Sequence, residues 1–346
     1  MAEFINGYKL DAPLKTDNSG FSKWGFASLN AKKYFIKEFL SPVYPADAKL
    51  LGEELTQKRK ASCEKYVTEK RLLFAAINKA SDGNIVHIEH FFRYGSKYYI
   101  VMEKVEAVSR LDVLALPLEG KIFICMILAH AVSGLHQAGL VHADLKLDNV
   151  IFYKTKDDKI GAKIIDLDTC FWETFPPKSE EEITGDQIYM APETFLLLAE
   201  EEGTLTRKID VYAMGIIFHQ ILTGSLPGFD TDQYQYPYEA LLNGEKLRID
   251  SCYGRWISEL INSMLQRGPD DRISMEIVCT QLRILYRKLS GLPDEDFSYS
   301  GDIPYAKKDS RSEKDSRSEK AFRSEDASGK HKTDNSFFRY AGEDDL

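Results

Sequence analysis

Three side chains of complementary chemistry lie within one octapeptide, His142-Ala143-Asp144-Leu145-Lys146-Leu147-Asp148-Asn149. Asp144 offers a carboxylate, Lys146 an ammonium and Asn149 a carboxamide oxygen, all inside six residues. A carboxylate can orient a hydroxyl nucleophile, a cation can neutralise a phosphate in flight, and an amide oxygen can hold a metal. The set therefore suits transfer of a phosphoryl group to a hydroxyl. Some 20 residues on, Ile164-Ile165-Asp166-Leu167-Asp168 places another carboxylate at the end of an apolar, strand-like run. Asp residues capping turns at strand ends are common, so Asp166 acquires chemical meaning only through its place after the octapeptide.

These residues need elements to hold them. From about 8 to 105, short aromatic and β-branched runs such as Tyr34-Phe35-Ile36 and Tyr98-Tyr99-Ile100-Val101-Met102 read as strands. Between them, roughly 46–78 has apolar residues at helical spacing. From about 106 to 290 the pattern is mostly helical, over 121–138, 209–223, 256–265 and 274–289, with short strands near 150–153 and 162–166. The octapeptide follows one helical run and precedes a strand, which puts it on a loop. The fold class is α+β, a small sheet lobe followed by a helical lobe.

From about 291 the composition changes. Residues 308–325 read KDSRSE, KDSRSE, KAFRSE, and 291–346 holds 14 acidic against 10 basic residues. So little apolar surface does not offset the entropy of ordering, and a disordered tail is expected there. Its Arg-Ser-Glu units could dock a partner or accept phosphate.

Composition narrows the alternatives. A formal net charge of -9 in 346 residues argues against a general nucleic-acid binder. Five scattered cysteines without a C-x-x-C pair read as reduced thiols rather than a zinc site. No signal peptide is evident, and the apolar stretches near 122–135 and 211–222 read as too short to span a bilayer. A cytoplasmic protein without membrane or nucleic-acid partners is expected.

The octapeptide resembles the catalytic loop H-R-D-L-x-x-x-N of the eukaryotic-type (Hanks-type) protein kinase family. The resemblance implies a bilobal kinase fold over about 8–290, with the smaller lobe ending near 105. It also implies ATP and Mg2+ as cofactors and protein substrates as partners. Asp144 and Lys146 would be catalytic, and Asn149 and Asp166 would hold metal. Tyr34-Phe35-Ile36-Lys37 resembles V-A-I-K, with Lys37 on the α and β phosphates. Its ion-pair partner on the following helix would be Glu69, with Glu64 as the alternative, and Asn84-Ile85-Val86 resembles the next strand. Gly20-Phe21-Ser22-Lys23-Trp24-Gly25-Phe26-Ala27 resembles the glycine-rich loop, giving Gly20 and Gly25 to the phosphates and Ala27 to the adenine. Phe35 and Ala27 would together reshape the adenine pocket. Glu103 and Val105 would form the hinge against the purine edge, and Ile151 would also belong to the nucleotide-binding residues. Met190-Ala191-Pro192-Glu193, Asp210 and Arg272 resemble the landmarks ending in A-P-E, the Asp that braces the catalytic loop, and the Arg that pairs with the A-P-E glutamate.

Several positions depart from the family pattern. Asp168 stands for the Gly of D-F-G, Ala143 for the Arg that receives a loop phosphate, and Asp186 for a Thr near the catalytic Asp. Lys146 resembles the Ser/Thr branch. The departures imply constitutive activity or control by other contacts, with Thr184 able to substitute at the Asp186 position. A pseudokinase scaffold, or a kinase-fold enzyme with another acceptor, is the alternative.

Overall fold

The computed structural model describes residues 3–16, 22–45, 52–178, 183, 185–201 and 203–293. Gly20, Thr184 and the expected tail from 294 onward lie outside the described residues. Two short strands, β1 (Phe4–Ile5) and β2 (Tyr8–Leu10), lead into the hairpin of β3 (Ser22–Leu29) and β4 (Lys32–Phe39). After helix α1 (Glu53–Ala80), strands β5 (Ile88–Tyr94) and β6 (Lys97–Glu103) complete a six-stranded sheet. Its order is β1-β2-β3-β4-β6-β5, and every pairing is antiparallel. The β3–β4 turn has both Asn30 and Ala31 at positive φ, the backbone twist that two-residue hairpins favour.

The sheet has two chemically distinct faces because side chains alternate along each strand. Ile5, Tyr8, Leu10, Ala27, Tyr34, Ile36, Tyr99 and Val101 form a small core of their own on one face. Trp24, Phe26, Phe35 and Lys37 belong to the other, since Trp24 registers with Lys37 and Phe26 with Phe35. Ala27 thus points away from the side on which Lys37 lies. The expectation that it packs on adenine is corrected by strand phase. Gly25 shares the Ala27 face, where an added Cβ would sit 3.0 Å from a Leu14 methyl, so close packing rather than a phosphate explains its small size.

The remaining elements are mostly helical. They run α2 (Arg110–Leu114), α3 (Leu118–Gln137), β7 (Leu140–Val141), a 3-10 turn (Leu147–Asn149), β8 (Val150–Lys154), β9 (Ile160–Ile164) and β10 (Phe171–Trp172). Helices α4 (Pro192–Leu198), α5 (Lys208–Thr223), α6 (Pro237–Leu242), α7 (Arg255–Met264) and α8 (Met275–Leu289) follow. Helix α3 is 20 residues long, longer than its apolar run suggested, and by length and composition alone it could cross a membrane. Here it packs against α8, α5 and β9, with Ile122, Ile124, Cys125, Leu128, Val132 and Leu135 fully buried. Apolar residues all round a helix are what a core position requires.

Two contacts tie α1 and the strand after it to the helical lobe. At Gly134 in α3 an added Cβ would come within 2.9 Å of the Ala80 carbonyl oxygen, so only glycine lets the end of α1 approach. Residues 84–86, expected as a strand of the first sheet, instead pair with β9. Ile164 N donates to Asn84 O at 2.9 Å and Val86 N to Ile164 O at 2.8 Å. The strand itself begins at Ile88.

Candidate active site

The loop between β7 and β8 is fixed by one buried carboxylate. Asp210, near the start of α5 and 1% exposed, accepts from His142 N (2.8 Å), Ala143 N (2.9 Å) and the His136 ring (3.0 Å). Ala143 is held at φ 69°, a conformation costly for a residue with a Cβ and sustained only by surroundings that enforce it. His142 N and Ala143 N both aim inward as a result, and Asp144 is turned outward.

Asp144, Lys146 and Asn149 converge as the sequence predicts. Lys146 Nζ lies 3.1 Å from Asp144 Oδ2. Asn149 Nδ2 donates to both Asp144 O (2.7 Å) and Asp144 Oδ2 (3.0 Å). With its amide nitrogen spent on Asp144, Asn149 keeps its oxygen as a ligand atom. Ile165 N donates to Asn149 O at 2.9 Å, so Asn149 and Asp166 flank a single backbone hydrogen bond. Asp166 sits at φ 60°, again strained. Two hard oxygen donors fit Mg2+, which is commonly held by one or two protein groups together with substrate phosphates.

Lys37 lies beside this pair. Its Nζ is 2.8 Å from Asp166 Oδ1 and 2.6 Å from Asp168 Oδ2. Burial alone would lower the Lys37 pKa, but Asp168 and then Asp166 outweigh it and the pKa is raised, keeping the ammonium charged. Burial pushes the Asp168 carboxyl up, with Lys37 opposing. Leu167 is buried as the apolar residue of this turn.

The expected Lys37 partner on α1 is corrected. Glu69 is exposed and lies 3.6 Å from Lys65 of its own helix, and Glu64 is exposed as well. The helix instead turns Tyr66, Lys70, Leu73, Phe74 and Ile77 inward. Lys70 Nζ donates to the Asp168 carbonyl at 2.8 Å and stands 5.6 Å from the Phe74 ring centre.

On the Lys37 face of the sheet, Trp24 stacks on Phe35 with ring centres 5.8 Å apart, and Phe26 meets Phe35 edge-on at 5.9 Å. Sequence reading missed Trp24; strict alternation from Lys37 across the hairpin register is the signal that finds it. The aromatic side chains beside Lys37 on this face are thus Trp24, Phe26 and Phe35, and Ala27 is not among them. Glu103, in the hinge, accepts from His87 N at 3.1 Å and pairs with Lys163, which registers with Ile151 on β8. Val105 and Ile151 are both half-buried.

The segment after Asp168 is anchored without a cation at position 143. Phe171 and Trp172 pair with Val141 and Leu140, and Thr169 Oγ1 donates to His142 O at 2.9 Å. Glu173 accepts from Arg207 N (2.9 Å) and from Arg207 Nε at both oxygens (3.0 and 2.8 Å). These hydrogen bonds lower the Glu173 pKa. The pair accordingly stabilises the fold above the ordinary carboxyl range near pH 4, and the contribution is lost as pH falls through the lower folded value. Partial exposure limits it to ~1 kcal/mol. Glu173→Gln should remove part of the acid limb of a stability-versus-pH curve while leaving neutral-pH stability lower; an unchanged acid limb would contradict this.

Beyond it, a shallow open depression adjoins Asp144, lined also by Gly185, Asp186, Tyr189 and Thr194. Asp186 accepts from Ile188 N at 2.9 Å, and Lys146 pairs with Asp144 rather than with Asp186. Glu193 and Arg272 form a buried two-pronged pair at 2.5 and 2.7 Å.

Residues 49–282 match the family described as Protein kinase domain, more than half of the chain. The chain belongs to the protein kinase domain family. The matched span of this kinase domain runs from just before α1 to α8 and includes the catalytic loop, Asp166, Glu193, Asp210 and Arg272. Among similar proteins, the Dual serine/threonine and tyrosine protein kinase of Xenopus tropicalis is 40% identical over 111 residues, 32% of this chain and 11% of that protein. Its counterpart from Homo sapiens is 39% identical over 111 residues, 32% of this chain and 10% of that protein. Ovarian-specific serine/threonine-protein kinase Lok of Drosophila melanogaster is 29% identical over 157 residues, 44% of this chain and 31% of that protein. The aligned part of the kinase domain spans about a tenth of the first two relatives and under a third of the last.

Proposed function

We propose that this kinase domain transfers the γ-phosphoryl group of ATP to Ser or Thr hydroxyls of protein substrates. The observation that carries the reading is the cluster of Asp144, Lys146 and Asn149 beside Asp166 and Lys37. Asp144 orients the acceptor hydroxyl and takes its proton, while Lys146 places positive charge where the phosphoryl group crosses. Lys37 binds the α and β phosphates. Asn149 and Asp166 would hold Mg2+, which when bound neutralises charge on the phosphates. Asp144 must release its hydrogen bond from Asn149 Nδ2 or use its second oxygen to receive the hydroxyl.

Lys146 favours Ser and Thr acceptors, in keeping with the name of the Drosophila relative; the Xenopus relative's name also includes tyrosine. Incubation with labelled ATP and a mixed peptide pool, followed by phosphoamino-acid analysis, tests the preference. Phosphoserine and phosphothreonine are expected; phosphotyrosine at a comparable level would overturn it. Mg-ATP should also stabilise the protein, by about 2.7 kcal/mol at a ligand concentration a hundred times Kd. A melting midpoint indifferent to Mg-ATP would count against nucleotide binding.

Control is read from Ala143 and the Glu173–Arg207 pair. With Ala143 where an arginine would receive a loop phosphate, activity is constitutive or controlled by other contacts, and a large rise in rate on phosphorylation within 169–184 would overturn this. A cytoplasmic location fits the unpaired, mostly buried cysteines.

A further inference from the structure

All four acidic residues of α1, Glu53, Glu54, Glu64 and Glu69, are exposed, so the helix brings no carboxylate to Lys37. What it brings is a cation. Lys70 threads its stem inward and its Nζ reaches the backbone carbonyl of Asp168 at 2.8 Å. The Asp168 carboxylate meanwhile lies 2.6 Å from Lys37 Nζ, closer than Asp166 at 2.8 Å. Lys37 and Asp168 are both shielded, with side chains 9% and 21% exposed.

We propose that Asp168 is the positioning residue for Lys37, doing from the turn after Asp166 what a helix carboxylate would otherwise do, and that Lys70 fixes that turn against α1. The polarity of the link is inverted: helix cation to turn carbonyl, turn carboxylate to strand cation. Its geometric logic is direct. Asp166 would hold the metal, and its carboxylate oxygens would then be shared between that ion and Lys37. Asp168 then remains as the anion that keeps Lys37 extended toward the phosphates. An aspartate where glycine gives backbone freedom costs flexibility, and the charge pairing offsets that cost. The inference rests on the nucleotide-binding role given to Lys37.

The test uses the full chain and a fluorescent ATP analogue titrated with and without Mg2+, alongside KM for ATP and kcat. Asp168→Asn and Asp168→Gly should each weaken nucleotide binding about 10–100-fold, the range expected for losing a charge-assisted hydrogen bond, with KM for ATP rising in parallel. Asp168→Glu should recover part of the loss. Lys70→Met, which leaves both carboxylates in place, should weaken binding by a smaller factor and speed amide exchange in the second half of α1. Glu69→Gln should stay within about twofold of wild type, as expected of an exposed side chain.

Melting curves identify any Asp168 variant that does not fold, in which case the Lys70→Met and Glu69→Gln pair decides. Unchanged affinity in folded Asp168→Gly, or a loss at Glu69→Gln equal to that at Asp168→Asn, would overturn the proposal. So would a variant whose metal-free affinity is untouched while its Mg2+ midpoint shifts, since that makes Asp168 a metal ligand. A wild type without nucleotide affinity would overturn it too. Wild-type binding with the predicted variant losses, but without phosphate transfer, would refute the kinase activity and leave the positioning role standing.

Discussion

Replacing Asp144 with Asn lowers phosphoryl transfer by about 10²–10⁴-fold, the range for loss of a positioned general base, while the melting midpoint stays close to wild type. The two halves of this expectation come from different contacts. The loop is held by Asp210 through three hydrogen bonds, to His142 N, Ala143 N and His136, none of which involves the Asp144 side chain. An Asn at 144 can still accept from Asn149 Nδ2 through its amide oxygen, so the loop keeps its shape. What disappears is the negative charge beside Lys146 and the capacity to take a proton from the acceptor hydroxyl. Binding of ATP should change little, because Lys37, Asn149 and Asp166 are untouched. A variant retaining wild-type rate would remove Asp144 from the mechanism.

Arg272→Ala, by contrast, should strongly destabilise the protein without touching a reacting group. Arg272 and Glu193 are 2% and 4% exposed, and the guanidinium makes two hydrogen bonds to the carboxylate. It also donates to the carbonyls of Gln266 (2.7 Å), Arg267 (2.9 Å) and Lys208 (3.1 Å) and lies over the Tyr212 ring at 5.1 Å. Removing it leaves Glu193 as an uncompensated buried charge, which costs about 3–5 kcal/mol. That is a large share of the 5–15 kcal/mol that stabilises a typical domain. Chemical denaturation should register the loss. The double change Glu193→Gln with Arg272→Met removes both charges and should be milder than Arg272→Ala alone; equal damage from both would mean that the ion pair is not what matters.

How far the sequence discloses this arrangement depends on the range over which each contact is encoded. Asp144, Lys146 and Asn149 are legible because they lie in one loop, where spacing along the chain is nearly spacing in space. Glu193 and Arg272, 79 residues apart, are legible only through the order of landmarks. The helices α3, α5, α7 and α8 follow from apolar periodicity within a few residues at each end. Phase is harder to read. Between 64 and 71 α1 carries Glu64, Lys65, Glu69, Lys70 and Arg71, and one residue turns a helix by about 100°. Lys70 can enter the interior because its long aliphatic stem buries well, and so Glu69 is carried out to solvent.

Strand phase fails in the same way at Ala27. Strand β3 carries non-polar residues on both faces, Trp24 and Phe26 on one and Gly25 and Ala27 on the other, so no polar alternation sets its phase, and Ala27 and Trp24 exchange roles on a one-residue change of face. Asn84-Ile85-Val86 resembles the family's next strand, yet its partner is β9 rather than β6. Long-range pairing of so short a segment leaves no local mark. Asp168 reads as a mere departure from glycine until the geometry shows Lys37 against it.

The most direct measurement is the fate of label from ATP carrying radioactive phosphorus at the γ position in one sample and at the α position in another. With Mg2+ and a generic protein acceptor, label should enter protein from γ-labelled ATP and not from α-labelled ATP. Incorporation from the α position would show nucleotidyl transfer instead, and incorporation from neither would contradict the proposed kinase activity.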